Sequence, residues 1–195
     1  MTHKALFLDR DGIINKLVRY QHGWDSPQNI NDIKLVKDIE KIIIWANKNS
    51  IPVIEITNQP GVAKNKISLD TLEEIEQKIH TLLRIKGAKI DKVYRCLHHP
   101  DAIVKKYKKI CNCRKPKTGL FIKAKKENLI NLNESVFLGD KYTDYVAGNS
   151  IGCKTFIFLH KNDEAKKTKE VYNLKTNNKS ENLNELFRKI KEYLS

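Results

Sequence analysis

The chain has 195 residues, of which 40% are hydrophobic and 31% charged, and its formal net charge is +14 at pH 7. This length predicts a single domain, residues 1–195, that is large enough to bury a real core. No apolar run reaches the roughly 18 residues of a membrane span, and the N-terminal apolar stretch is too short for a signal peptide. We therefore expect a cytoplasmic protein. We also expect a monomer, because the sequence pattern shows no large exposed apolar face.

The positive charge raises the question of a nucleic-acid partner. The lysines are scattered along the chain apart from the run Lys105–Lys109, and isoleucine and asparagine are abundant as well. A compositional bias without function explains this pattern, and a phosphorylated substrate would also suit a basic surface. We expect no nucleic-acid partner and keep a nucleic-acid-binding protein as an alternative.

The first predicted strand ends in a pair of carboxylates. The apolar run Ala5–Leu8 is typical of a strand buried on both faces, and Asp9, Asp11 and Gly12 follow it directly. In open α/β sheets, sites form just beyond the carboxyl ends of strands. Two aspartates repel each other there unless a cation or a shared proton offsets their charge. The pair suits phosphoryl transfer, which needs a nucleophilic carboxylate, a second one that moves protons, and a divalent metal. A polar turn after a strand is the alternative.

The rest of the chain alternates between strands and helices. Further strands are predicted at Ile51–Ile56, Lys92–Arg95, Ser135–Leu138 and Lys154–Leu159. Helices are predicted from Ile33 to Lys48, Ser68 to Lys86, Thr118 to Asn128, Tyr145 to Ser150 and Leu183 to Leu194. Polar loops are predicted over Lys16–Asn31 and His160–Asn182, the second with a short strand at Val171–Leu174. The pattern predicts the α/β class: a doubly wound, mostly parallel sheet in three layers, without a large cap domain.

Two further strands end in polar segments. Thr57, Asn58 and Gln59 follow the second strand, and their hydroxyl and amide groups can bind phosphate oxygens without adding charge. Asp140 follows the strand Ser135–Leu138 and is placed to complete a Mg²⁺ site with Asp9.

A cysteine-rich loop at residues 96–118 interrupts the pattern. Cys96 and His98, followed by Cys111 and Cys113, offer four soft ligands for a closed tetrahedral zinc site. Four protein ligands leave no open position, so we interpret the zinc as structural. His99 is an alternative ligand to His98. The loop also delivers two adjacent cations, Arg114 and Lys115.

Taken together, DRDGIIN, TNQPG, the CxH and CxCRKP loop and GDKYTD resemble the haloacid dehalogenase (HAD) superfamily of phosphatases. The zinc loop narrows the resemblance to the branch that holds D-glycero-D-manno-heptose-1,7-bisphosphate 7-phosphatase and histidinol-phosphatase. The resemblance runs from about Lys4 to Phe158. Within that branch, Asn15 and the segment His22–Trp24 favour the heptose enzymes, whereas Ile13, Trp24 and Pro60 depart from their usual residues.

The resemblance implies a role for each matching residue. Asp9 would be the nucleophile and Asp11 the proton carrier, while Thr57 and Lys115 would hold the transferring phosphoryl group. Asp144 would orient Lys141 or a metal-bound water. The substrate pocket would be formed by Asn15, His22, Gly23, Trp24, Asn58, Gln59, Pro60, Arg114 and Lys141. The implied Mg²⁺ ligands are Asp9, the Asp11 carbonyl and Asp140, and the zinc ligands are Cys96, His98, Cys111 and Cys113.

The implied activity is Mg²⁺-dependent hydrolysis of the 7-phosphate of a heptose 1,7-bisphosphate through a phosphoaspartate. Its product would lead to a nucleotide-activated heptose for surface polysaccharide. A histidinol-phosphate phosphatase is the second hypothesis, and a nucleic-acid end-processing phosphatase the third.

Overall fold

The computed structural model describes residues 3–160 and 169–195. Its strands are β1 (Leu6–Leu8), β2 (Val18–Tyr20), β3 (Gly23–Asp25), β4 (Val53–Asn58), β5 (Lys92–Cys96), β6 (Val136–Gly139), β7 (Lys154–Phe158) and β8 (Lys179–Ser180). Its helices are α1 (Ile39–Lys48), α2 (Leu69–Ile85), α3 (Gly119–Asn128), α4 (Tyr142–Ser150), α5 (Lys169–Tyr172) and α6 (Leu183–Leu194).

Six strands form one parallel sheet in the order β5-β4-β1-β6-β7-β8. The central strand β1 pairs with β4 on one side and with β6 on the other, so that Leu8 lies opposite both Glu55 and Leu138. The carboxyl ends of these three neighbouring strands therefore open at the same edge. The strand order reverses around β1, and this is where ligand sites of open α/β sheets form.

Helices cover both faces of the sheet, which confirms the predicted three-layer α/β architecture. On one face, Leu6 and Leu8 pack in a core with buried residues of α1, α2 and α6. On the other face, Phe7 packs in a second core with Phe121 of α3 and Ala147 of α4. This division follows from the alternation of side chains along a strand. No helix in the described part of the chain is long and apolar enough to cross a membrane.

Most predicted elements are present, with shifted ends. Helix α2 begins after Ser68, whose hydroxyl accepts the Thr71 N–H at 2.9 Å. Helix α1 begins at Ile39 instead of Ile33, because Asp38 adopts a left-handed conformation with φ 68°. Helix α4 begins at Tyr142 instead of Tyr145, since the Asp144 carboxylate accepts the Lys141 N–H at 3.0 Å and caps the first turn.

Two loop predictions are wrong. The segment Lys16–Asn31 contains the antiparallel hairpin of β2 and β3, in which Arg19 lies opposite Trp24. Its strands have three residues each, which is too short to show an alternation of apolar and polar residues. The strand predicted at Val171–Leu174 is also wrong, because Val171 belongs to helix α5 and packs with Ile157 and Leu159. The edge strand β8 lies further on, and positions 161–168 of the predicted loop fall outside the described residues.

Candidate active site

Strand β1 places Asp9 at the centre of the site. The Asp9 N–H donates to the Leu138 carbonyl at 3.0 Å, which continues the pairing of β1 with β6 one residue beyond the strand. One Asp9 oxygen accepts the Arg10 N–H at 2.8 Å, and the residue is only 3% exposed. The carboxylate is thus fixed by the backbone at the carboxyl edge of the sheet.

Lys115 brings a buried positive charge to Asp9. Its Nζ lies 2.9 Å from Asp9 Oδ1 and 2.7 Å from Asp144 Oδ1, and it donates to the Ile56 carbonyl at 2.9 Å. Burial opposes the charge, but the Asp144 and Asp9 carboxylates raise the pKa of Lys115 above its usual value. Asn58 fixes the Lys115 backbone, accepting its N–H at 3.0 Å and donating to its carbonyl at 3.1 Å.

Asp144, expected to orient Lys141 or a metal-bound water, contacts the Lys115 side chain and the Lys141 backbone. Its carboxylate binds the Lys115 ammonium and accepts the backbone N–H groups of Asp140 and Lys141 at 3.2 and 3.0 Å. It therefore orients the Lys115 side chain instead of the Lys141 side chain. Burial raises the pKa of Asp144 to about 6.

Asp9, Asp140 and Asp144 form a carboxylate cluster whose ligand oxygens lie within 4.8 Å of one another. Both Asp140 oxygens are buried and accept no hydrogen bond. The Lys141 Nζ and His160 Nε2 atoms lie 3.5 Å from Asp140. Hard oxygen ligands at this separation fit a divalent cation such as Mg²⁺, because a cation would offset their mutual repulsion.

Asp11 lies in a network of donors. Arg10 approaches both of its oxygens at 3.1 Å, Asn15 Nδ2 donates at 2.9 Å, Gln59 Nε2 at 2.6 Å and the Ser26 hydroxyl at 2.9 Å. Burial opposes the charge, but Arg10, Lys141, Asn15 and Gln59 outweigh it and hold the pKa of Asp11 below its usual value. The Asp11 carbonyl, predicted to bind the metal, accepts the Lys141 ammonium at 3.3 Å.

Arg10 and Ser26 are the residues of this network that had not been predicted, and Arg10 is the charged one. It is fully buried, and it donates both to Asp11 and, at 2.7 Å, to Gln59 Oε1. The available signal was its place between two aspartates directly after a buried strand, where a charged side chain needs buried partners.

A cleft of about 370 Å³ opens over these groups. Of the predicted pocket residues, its lining includes Trp24, Asn58, Pro60, Arg114 and Lys141. Lys115 and Asp140 also line it, so the cleft reaches the carboxylate cluster. Residues that had not been predicted line it as well, namely Leu17, Asp25, Ser26, Tyr142, Thr143 and Glu170.

Four predicted pocket residues lie elsewhere. Asn15 is fully buried beside Asp11. His22 and Gln59 line a neighbouring cavity of about 160 Å³, and Gly23 pairs with Tyr20 in the hairpin. Thr57, predicted to hold phosphate, is buried at the end of β4 and accepts the Gln59 amide at 2.9 Å.

The four predicted zinc ligands form one cluster. Cys113 Sγ lies 3.0 Å from Cys96 Sγ, 3.3 Å from Cys111 Sγ and 3.2 Å from His98 Nδ1. The thiols are not linked by disulfides. His99 turns away, and its Nδ1 accepts the Asp101 N–H at 3.0 Å. Three sulfurs and one imidazole nitrogen suit a tetrahedral zinc ion.

Comparisons with known proteins agree with this geometry. The HAD-hydrolase-like family model matches residues 112–186. The D-glycero-beta-D-manno-heptose-1,7-bisphosphate 7-phosphatase of Photorhabdus laumondii is 33% identical over 155 residues, 78% of this chain and 79% of the relative. The D-glycero-alpha-D-manno-heptose-1,7-bisphosphate 7-phosphatase of the same organism is 34% identical over 153 residues, 76% of this chain and 78% of the relative.

A solved structure has the same fold. The D,D-heptose 1,7-bisphosphate phosphatase of B. bronchiseptica, complexed with magnesium and phosphate, superposes with a TM-score of 0.78 at 24% identity. The match covers 97% of this chain and 98% of that one. The sheet and the relatives together define a HAD-type phosphoric monoester hydrolase. Within that class, the chain belongs to the D-glycero-D-manno-heptose-1,7-bisphosphate 7-phosphatase family, which confirms the resemblance.

Gly12 allows a test of how tightly the site is packed. Its φ is +98°, and a Cβ would lie 2.2 Å from Asp140 Oδ2. Gly87 is a matched control, because its φ is +81° but a Cβ there would meet nothing within 4 Å. We expect Gly12→Ala to lower the free energy of unfolding by about 3 kcal/mol and Gly87→Ala by about 1 kcal/mol. Urea unfolding measures both, and equal losses would contradict the close packing.

Proposed function

We propose that this protein is a Mg²⁺-dependent phosphatase that removes the 7-phosphate of D-glycero-D-manno-heptose 1,7-bisphosphate. The observation that carries the proposal is the buried Asp9 carboxylate, which lies 2.9 Å from Lys115 beneath the cleft and beside Asp140. The names of the relatives support a heptose bisphosphate as the substrate. Its product would serve the synthesis of a nucleotide-activated heptose for surface polysaccharide.

The geometry supports a two-step reaction. An Asp9 oxygen attacks phosphorus, and the bond between phosphorus and the sugar oxygen breaks while Asp11 donates a proton to that oxygen. Because the pKa of Asp11 is low in the free protein, Asp11 has to take up this proton from water when the substrate binds. Asp11 then takes a proton from the water that attacks the phosphoaspartate, which releases phosphate and restores Asp9. Lys115 and Lys141 offset the negative charge, and the Thr57 hydroxyl, which accepts the Gln59 amide, would donate its own hydrogen bond to a phosphoryl oxygen.

The carboxylates of Asp9 and Asp140 and the Asp11 carbonyl would hold the Mg²⁺ ion. When bound, this ion would supply positive charge next to the phosphoryl oxygens. The buried Asp140 oxygens, which accept no hydrogen bond, support this assignment.

The nucleophile can be tested by Asp9→Asn, which keeps the shape of the side chain but removes its charge. We expect kcat to fall by about 10³-fold or more, because an amide cannot form the phosphoenzyme. Phosphate release and circular dichroism measure activity and fold. Asp101→Asn is the control, since Asp101 lies on the surface with 87% of its side chain exposed. Retention of the parent kcat by folded Asp9→Asn would refute the mechanism.

The substrate can be tested with the α- and β-anomers of the heptose 1,7-bisphosphate and with histidinol phosphate, assayed side by side. Arg114 is half-buried where it lines the cleft, and we expect it to bind the second phosphate. Arg114→Ala should lower kcat/KM for the bisphosphate on the order of 10- to 100-fold, and that for a monophosphate far less. Lys109→Ala removes a charge from the same loop as a control. A preference for histidinol phosphate would overturn the assigned substrate.

We further propose that Cys96, His98, Cys111 and Cys113 hold a structural zinc ion. The loop has little core of its own, and Lys115 follows Cys113 by two residues, so the metal would fix the position of that lysine. Elemental analysis should find about one zinc per chain. Cys113→Ala should lose the metal, lower the melting temperature and reduce kcat. Cys153→Ala is the control, because Cys153 is buried outside the cluster. Zinc-free parent protein of full activity would exclude the site.

A further inference from the structure

A buried carboxylate that takes no part in the proposed reaction lies behind the active site. Glu55, in the middle of β4, has no exposed surface, and neither of its carboxylate oxygens accepts a hydrogen bond. The closest imidazole nitrogen, His80 Nε2 of α2, lies 3.5 Å away. A carboxylate withdrawn from water without partners is costly, so its presence calls for a compensating charge.

Arg10 is a buried positive charge close to Glu55, although the two side chains form no ion pair within 4.0 Å. Side chains alternate along β1, so Arg10 continues the sheet face of Leu6 and Leu8, which is the face covered by α2. Because Leu8 lies opposite Glu55 in the parallel ladder, the two charged side chains share that face in adjacent strands. Burial raises the pKa of Glu55 above its usual value, and His80 and the Arg10 guanidinium offset that rise only in part.

The hydrogen-bonding groups between these side chains are complementary. Arg10 uses Nε and Nη2 for Asp11 and Gln59, whereas its buried Nη1 has no hydrogen-bond partner. Glu55 offers two buried acceptor oxygens and His80 a buried ring nitrogen, likewise without hydrogen bonds. Buried donors and acceptors collected in one place are satisfied by ordered water or by a closer approach. Either route would link the Glu55 carboxylate to the Arg10 guanidinium.

We propose that Glu55 is a positioning residue for the acid step, which holds the Arg10 guanidinium so that its other edge fixes the Asp11 carboxylate. His80 is the outermost residue of this buried polar group of Arg10, Glu55 and His80, since a quarter of its side chain is exposed. The inference rests on the proposed function, because it assigns Asp11 the proton transfer. Glu55 touches neither the substrate cleft nor the carboxylate cluster, so it acts only through Arg10.

The test compares two leaving groups. A sugar oxygen leaves only when Asp11 supplies a proton, whereas p-nitrophenolate leaves as a stable anion. The ratio of kcat/KM for the sugar bisphosphate to kcat/KM for p-nitrophenyl phosphate therefore reports the placement of Asp11. We expect Glu55→Gln to lower this ratio about tenfold. A merely structural role would lower both values alike and leave the ratio unchanged.

Two further variants make the result decisive. Glu73→Gln removes a carboxylate from the same helix as His80, where it binds Arg95 at 2.9 Å, and should not change the ratio. Asp11→Asn should lower it more than Glu55→Gln does. If Asp11→Asn leaves the ratio unchanged, the proposed acid role fails and the inference fails with it. If Asp11→Asn lowers the ratio and Glu55→Gln does not, only the inference is overturned. If Glu55→Gln does not fold, Glu55→Asp replaces it, because this variant keeps the carboxylate but shortens the side chain by one methylene group.

Discussion

Mutual repulsion among three buried carboxylates is the constraint around which this structure is organised. Asp9, Asp140 and Asp144 bring their oxygens within 4.8 Å of one another at the carboxyl edge of the sheet. They are there because β1 and β6 are neighbours and because α4 begins directly after β6. Such a cluster is tolerated only beside positive charge, which Lys115 and Lys141 supply in part. The remaining imbalance, seen at the Asp140 oxygens, favours a divalent cation.

A deeply buried cation of the site comes from outside the sheet. Lys115 lies in the loop between β5 and α3, where few apolar side chains are available to fix a backbone. Two sets of contacts fix the Lys115 backbone in place of a core. One is the neighbouring cluster of Cys96, His98, Cys111 and Cys113, and the other is the pair of hydrogen bonds between the Asn58 side chain and the Lys115 backbone. The Cys/His cluster and the carboxyl edge of the sheet are thereby linked, because Lys115 follows Cys113 by only two residues.

Sequence patterns predicted the part of the fold that depends on local periodicity and on strand ends. Asp9 and Asp140 were placed correctly at one edge of the sheet because parallel strands all end on the same side. The β2–β3 hairpin escaped prediction, since its three-residue strands are too short to show alternation. Helix α5 escaped because Val171 favours a strand locally, while packing against Ile157 and Leu159 decides its conformation. The interior position of Arg10 depends on partners 45 or more residues away, which no local pattern reveals.

The alternation of a single strand explains how one short segment serves both faces of the sheet. Asp9 follows Phe7 onto the face of α3 and α4, where it meets Lys115 and the other carboxylates. Arg10 follows Leu8 onto the opposite face, where Glu55 and His80 are buried beneath α2. Asp11 lies beyond the strand. Its carboxylate accepts a hydrogen bond from the Arg10 guanidinium, and its backbone carbonyl accepts one from the Lys141 ammonium. Asp9 and Asp11, the proposed nucleophile and proton carrier, are therefore held by different buried cations, Lys115 and Arg10, while Lys141 lies near both.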